Sequence, residues 1–223
     1  MGTDDWFHKR KAKKASELAR RKARRAPYTK VLIVCEGEKT EPHYFNGLKD
    51  HYSLNSANVD VCGDCDSDPL SIVGHAKRRY REEKDAGDAF DSVYCVFDKD
   101  AHANYMPGLD AIRRATPKGR YIAITSVPCF EYWLLLHYHY TTKPYDALPG
   151  NSACNQVLTE LKGYMPGYTK GDNNVFLALI NQLDFARNNA VRSLQTAEAN
   201  HTDNPTTHMH ELVTFLQDIK KPD

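Results

Sequence analysis

The sequence predicts an α/β protein: a mainly parallel central sheet flanked by helices, with a C-terminal α-helical subdomain. Two observations lead there. Between Lys30 and Lys143, short apolar runs rich in β-branched residues alternate with stretches of helical periodicity, the pattern of βαβ units with right-handed crossovers. After Lys143 the texture changes: Pro144, Pro149, Gly150 and Asn151 form a turn-rich connection, and helical periodicity then runs to the C-terminus. The expected organisation is a basic arm over residues 1–29, an α/β domain over 30–143 and a helical subdomain over 151–223, with no internal repeat.

Each element has a local cause. Val31-Leu-Ile-Val-Cys35 is too short for a helix and apolar on both faces, so it predicts a fully buried strand. Tyr44, Phe45 and Leu48 give helical spacing to about Glu41–His51. Asn58–Cys62 alternates and predicts a second strand. Asp68-Pro69 opens a helix to about Lys84, with Asp as N-cap and Pro at the first helical position. Ser92–Phe97 is the third strand and runs directly into Asp98. A helix near Tyr105–Ala115, a strand at Tyr121–Thr125 and a helix at Phe130–His137 follow. Helical stretches are expected near Ala153–Lys162, Asn173–Ser193 and Thr207–Ile219, with Asn204-Pro205-Thr206-Thr207 as a helix start.

Composition narrows the class. With 41% hydrophobic and 26% charged residues, the chain is ordinary for a water-soluble fold. No apolar run approaches the roughly 20 residues of a membrane helix, and the N-terminus shows no secretory h-region, so a cytoplasmic setting without membrane contact is expected. Six cysteines, with Cys35 and Cys95 inside apolar runs, fit a reducing compartment. Cys62-Gly63-Asp64-Cys65 is a lone CxxC; a structural zinc would need further ligands, and no second CxxC exists.

Charge is asymmetric. Of 30 Lys and Arg, eleven lie in residues 1–30 against three of the 29 acids, leaving the rest of the chain at a balance of −7. A basic arm on an acidic body suits phosphate neutralisation on nucleic acid, and equally a solvated helix or frayed tail.

Two strand ends deliver acids to one edge: Glu36-Gly37-Glu38 after the first strand, and Asp98-Lys99-Asp100 after the third. Alternation lets Asp98 and Asp100 share a direction while Lys99 points away, and Gly37 permits a sharp turn after Glu36. Two carboxylates about 4 Å apart repel by on the order of 4 kcal/mol at an effective dielectric near 20. A divalent ion offsets that repulsion, and all-oxygen ligation favours Mg²⁺ or Mn²⁺ over zinc. The plain alternative makes these acids solvated loop residues or caps. Glu131 opens the helix after the fourth strand on the same edge; it is a further ligand or an acid complementing the helix dipole. Glu38 and Glu41 are weaker candidates, since either could cap the first helix. Lys39 could meet a phosphate there. Lys170 could stabilise phosphoryl charge or be a surface lysine. His137 and His139 suit a helix end better than a hard-cation site. No G-x-x-x-x-G-K-[ST] or G-x-S-x-G element is present, which argues against ATP hydrolysis or a serine-hydrolase elbow.

Val31-Leu-Ile-Val-Cys-Glu36-Gly37 with Phe97-Asp98-Lys99-Asp100 resembles the two-part signature of Toprim domains, the metal-binding α/β domains of topoisomerases, primases and OLD-type nucleases. The ordered set over about residues 30–216 resembles the RloB-like family more closely. It comprises Glu36-Gly-Glu-Lys-Thr-Glu-Pro42-x-Tyr44-Phe45, Phe97-Asp-Lys-Asp100, Pro128-Cys-Phe-Glu131-x-Trp133-Leu-Leu-Leu-His137, Tyr168-x-Lys170 and Asn204-Pro-x-Thr-x-x-x-x-Leu212. The resemblance implies a Toprim-like fold and a role in prokaryotic defence against phage or foreign DNA beside a partner ATPase. It also implies Mg²⁺ or Mn²⁺ around Glu36, Asp98 and Asp100 for phosphodiester chemistry. The resulting expectation is a metal-dependent nuclease acting on DNA or RNA, with catalytic residues Glu36, Asp98, Asp100, Glu131 and Lys170 and metal ligands Glu36, Asp98, Asp100 and Glu131. A non-catalytic metal-binding regulatory or assembly subunit, and a nucleotidyl-transfer or nucleotide-cleaving enzyme with a small substrate, are the alternatives. Homo-oligomerisation is compatible with the sequence but not specified by it.

Overall fold

The computed structural model describes residues 3–23, 28–56, 58–64, 68–99 and 103–220. Five strands form one sheet in the order β2-β1-β3-β4-β5: β1 (Val31–Cys35), β2 (Val59–Cys62), β3 (Ser92–Asp98), β4 (Tyr121–Val127) and β5 (Thr206–Thr207). The first four are mutually parallel, and β5 runs antiparallel to β4. The expected Toprim-like α/β architecture is therefore realised, with helices on both faces.

Strand alternation divides the core. Val31, Ile33, Cys35 and Val96 face α2 (Thr40–His51), α5 (Glu131–Leu135) and the C-terminal helices α6 (Ala153–Tyr164), α7 (Val175–Leu179), α8 (Leu183–Ala199) and α9 (Met209–Asp218). Leu32, Val34, Val93, Cys95 and Phe97 face α3 (Pro69–Asp85) and α4 (Tyr105–Arg113). All five residues of β1 are fully buried, as a run apolar on both faces requires. Asp68 caps α3 as its sequence predicts, its side chain accepting from the Leu70 and Ser71 N–H groups.

Two placements differ from expectation. Thr206 and Thr207 pair with Val127 and Ser126 as strand rather than opening a helix, and α9 begins at Met209. The reason is a buried hydroxyl pair, Ser126 Oγ with Thr207 Oγ1 at 2.9 Å, together with the β-branched side chains of Thr206 and Thr207, which suit a strand. The stretch expected as one helix over Asn173–Ser193 is instead α7, a 3₁₀ turn at Ile180–Gln182, and α8. The arm is helical over Thr3–Ala23 (α1), with its described basic side chains exposed and Leu18 half-buried near Gly87.

Lys30 anchors the start of β1. Its buried ammonium reaches Glu83 Oε2 at 2.6 Å, Asp88 Oδ2 at 2.8 Å and the Asp88 carbonyl at 2.6 Å. These contacts tie β1 to the end of α3 and to the loop that leads into β3.

Candidate functional site

In a parallel sheet the carboxyl ends of the strands share one edge, where α/β folds place their ligands. Glu36 follows β1, Asp98 ends β3, and Glu131 opens α5 three residues beyond Pro128. Glu36 Oε2 accepts from the Asp98 backbone N–H at 2.8 Å. Asp98 Oδ2 accepts from the Phe130 N–H at 3.0 Å, linking β3 to the turn that leads into α5. Glu131, only 2% exposed, meets Lys170 Nζ at 3.1 Å and accepts from the Tyr168 hydroxyl at 3.4 Å.

The turn carrying Tyr168 and Lys170 is held against α2: Gly171 N donates to Thr40 Oγ1 at 3.1 Å, and its carbonyl meets His43 Nδ1 at 2.9 Å. Gly171 has a φ of +83°, and a Cβ there would press on the Lys39 side chain at 3.1 Å, so glycine is required twice over. A C-terminal lysine is thereby held at the strand edge.

Glu41 sits in the first turn of α2 and is 7% exposed. Its carboxylate lies beside Gly37: a Cβ on Gly37 would come within 2.5 Å of Glu41 Oε2. The glycine after Glu36 thus makes room for a second acid as well as turning the chain. An aromatic cluster fixes the helices beneath. Tyr44 of α2 meets Phe130, Trp133 of α5 and Phe176 of α7 edge-on, with ring centroids 5.5, 6.5 and 5.2 Å apart. Glu41 and Glu131 are therefore delivered from helix starts whose next turn is locked in the core.

The acids feel one another. Loss of hydration, followed by the charges of Glu41, Glu36 and Glu131, pushes Asp98 well above the ordinary carboxylate range, against the Phe130 N–H that favours the anion. Burial, then the charges of Glu131 and Glu36, raises Glu41 to about 7. Burial works against the charge of Lys170, but Glu131 outweighs it and holds the ammonium above its ordinary value. Cys129, hydrogen-bonded to Cys154 and buried beside Glu131 and Asp98, is pushed well up and stays a thiol.

Of the residues expected at this site, Glu36, Asp98, Glu131 and Lys170 converge on one edge; Asp100 lies outside the described residues. Lys99 points away, its ammonium on Asp203 at 2.5 Å. Glu41 belongs at the centre, where sequence reasoning weighed it as a cap; α2 in fact has no side-chain cap. Among the described residues, no three of these carboxylates bring oxygens within 4.8 Å of one another. Each of Glu36, Asp98 and Glu131 instead leans on an N–H or an ammonium, as repelling anions do. An all-carboxylate donor set still suits a hard divalent cation. His137 is buried and neutral, its value lowered to about 4 by burial, with Nδ1 3.0 Å from the Trp133 carbonyl. His139 pairs with Glu160 at 2.9 Å.

The model of the RloB-like protein family matches residues 31–216. The chain belongs to the RloB-like family. That match spans every strand, the acidic edge and the Tyr168–Lys170 turn, and it leaves α1 outside. No curated protein and no solved structure matches the chain. Among the described residues of this RloB-like chain, no helix is long and apolar enough to cross a membrane.

Proposed function

We propose that this RloB-like chain is a Mg²⁺- or Mn²⁺-dependent phosphodiester-cleaving nuclease acting on DNA or RNA, in an anti-phage defence setting in the cytoplasm and beside a partner ATPase. The observation that carries the reading is the convergence of Glu36, Glu41, Asp98 and Glu131 on one strand edge, with one lysine facing them. Glu36, Asp98 and Glu131, with Asp100, would hold the cation, and Glu41 is close enough to join them. The bound ion supplies a polarised phosphate and an acidified water. The chain's own groups do the rest. Glu41, at about 7, can take and return a proton near neutral pH. Lys170, exposed on its outer side, can leave Glu131 for a phosphate oxygen, and Tyr168 keeps Glu131 oriented when it does. The exposed basic residues of α1 supply sequence-independent attraction for the phosphate backbone.

A second reading, a non-catalytic metal-binding assembly subunit, is favoured by the internal engagement of Glu36, Asp98 and Glu131. One experiment separates the two. Purified wild type and Asp98→Asn are incubated with plasmid DNA, tRNA and nucleotides in Mn²⁺, and melted with and without the ion. Asparagine keeps an oxygen for the Phe130 N–H, so the variant folds. Wild type is expected to cleave polynucleotide and to melt higher with Mn²⁺, because a ligand bound only by the native state stabilises it; Asp98→Asn should do neither. Stabilisation of wild type without cleavage supports the assembly subunit. An Asp98→Asn variant that still cleaves sinks the proposed site.

A further inference from the structure

A second cluster of ligating side chains lies on the other face of the sheet, at its β2 edge. Cys62 ends β2, Asp64 follows two residues on, and His75 comes from the second turn of α3. Their ligand atoms all lie within 4.8 Å of one another, the only such group among the described residues. Cys62 Sγ and His75 Nε2 are 3.8 Å apart. Zinc–sulfur and zinc–nitrogen bonds of about 2.3 and 2.05 Å at a tetrahedral angle place the two ligand atoms roughly 3.5 Å apart. The pair therefore stands at coordination distance, with Asp64 beside it as an exposed third ligand.

The frame around these ligands is built. Arg79 pairs with Asp60 of β2 at 2.6 Å, fastening the middle of α3 to the strand that carries Cys62. Asp68 caps α3 and holds Asn104 at 2.7 Å, fixing the helix start. His75 is buried. The turn after Cys62 is equally constrained: a Cβ on Gly63 would overlap the Gly37 carbonyl and crowd Pro42, so only glycine fits.

We propose that Cys62, Asp64 and His75 form a zinc site that pins β2 to α3, independent of the carboxylate edge and of the nuclease reading. Thiolate, imidazole and carboxylate together suit Zn²⁺, whereas the all-oxygen edge suits a hard cation, so one chain holds two sites of different preference. Arg78, a donor only, sits 2.9 Å from His75 Nδ1, so the neutral ring carries its proton on Nε2, facing the sulfur. Binding zinc requires Nε2 bare. The exposed Arg78 swings away, the ring proton moves to Nδ1 through solvent, and the Cys62 thiol releases its proton to water.

The test uses the full-length reduced chain, stripped with EDTA and titrated with Co²⁺. One equivalent should give thiolate-to-cobalt charge-transfer absorption with tetrahedral ligand-field bands, and Zn²⁺ should discharge both. Cys62→Ser and His75→Gln should lose the sulfur band while melting in EDTA close to wild type. Asp98→Asn and Cys154→Ser should keep it, and Arg78→Gln should bind Co²⁺ severalfold more tightly by freeing Nδ1. Absence of a thiolate band in wild type overturns the proposal. So does a band that survives His75→Gln, or one that disappears in Asp98→Asn, which would put the cation on the carboxylates.

Discussion

Glu41→Gln should make the metal-free protein more stable at pH 8, a gain unusual for a buried residue at a candidate active site. Glu41 has an ordinary value of 4.5 and stands at about 7 in the folded chain. The folded state therefore binds this proton more tightly than the unfolded state does. Glu41's contribution is fully present below about 4.5 and is lost as pH rises to about 7. At 1.36 kcal/mol per pH unit the loss comes to roughly 3 kcal/mol, for a carboxyl that is 7% exposed and so little screened. Glutamine holds the neutral shape at every pH. Urea unfolding in EDTA from pH 5 to 9 should show wild type losing stability across that window and Glu41→Gln losing much less. The variant should melt about 6–12 °C higher at pH 8, for a chain of this size. The residual slope belongs to Asp98, whose raised value acts in the same direction. Mn²⁺ should cancel the wild-type slope, because a cation does for the acids what the protons did. A flat wild-type profile in EDTA, or a Glu41→Gln variant less stable than wild type at pH 8, would refute the account of a buried carboxyl crowded by neighbouring acids.

Two further outcomes follow from other parts of the fold. Lys30→Met removes the buried ammonium that Glu83 and Asp88 share and should cost about 3–5 kcal/mol, read by urea denaturation; a loss below 1 kcal/mol would mean that this anchor contributes little to holding β1. Deleting residues 1–23 should flatten the dependence of nucleic-acid affinity on salt without altering sequence preference, since phosphate contacts carry little base information; an unchanged slope in a filter-binding titration would assign α1 to another partner.

The sequence was most legible where local chemistry decides structure. The five apolar residues of β1, the Asp68-Pro69 helix start and the strand running into Asp98 each carry their cause within a few positions. It was least legible where distant segments meet. A two-residue strand such as β5 has no periodicity to read; its partner, β4, lies about 80 residues earlier. Glu41 looked like any acid in a first helical turn, and only the packing of Tyr44 against Phe130 and Trp133 brings it to the strand edge. The repeated Glu36-Gly-Glu-Lys-Thr-Glu41 acids were the available signal. The lone CxxC is set aside by sequence reading for want of further ligands, because His75 stands thirteen positions on from Cys62 along a helix and follows no ligand spacing.

Strand β5 also sets the order in which a growing chain can be completed. Residues 31–127 hold four of the five strands, yet β4 keeps an open hydrogen-bonding edge until Thr206 and Thr207 have been synthesised and laid against it. Lys170 and the helices α6–α9, which complete the cover over Ile33 and Val96, arrive late in translation too. A ribosome-bound intermediate ending near residue 200 thus carries the acidic edge beside an unpaired strand. Truncation in the last twenty residues would act on the same edge, trading a folded sheet for a surface that invites another strand.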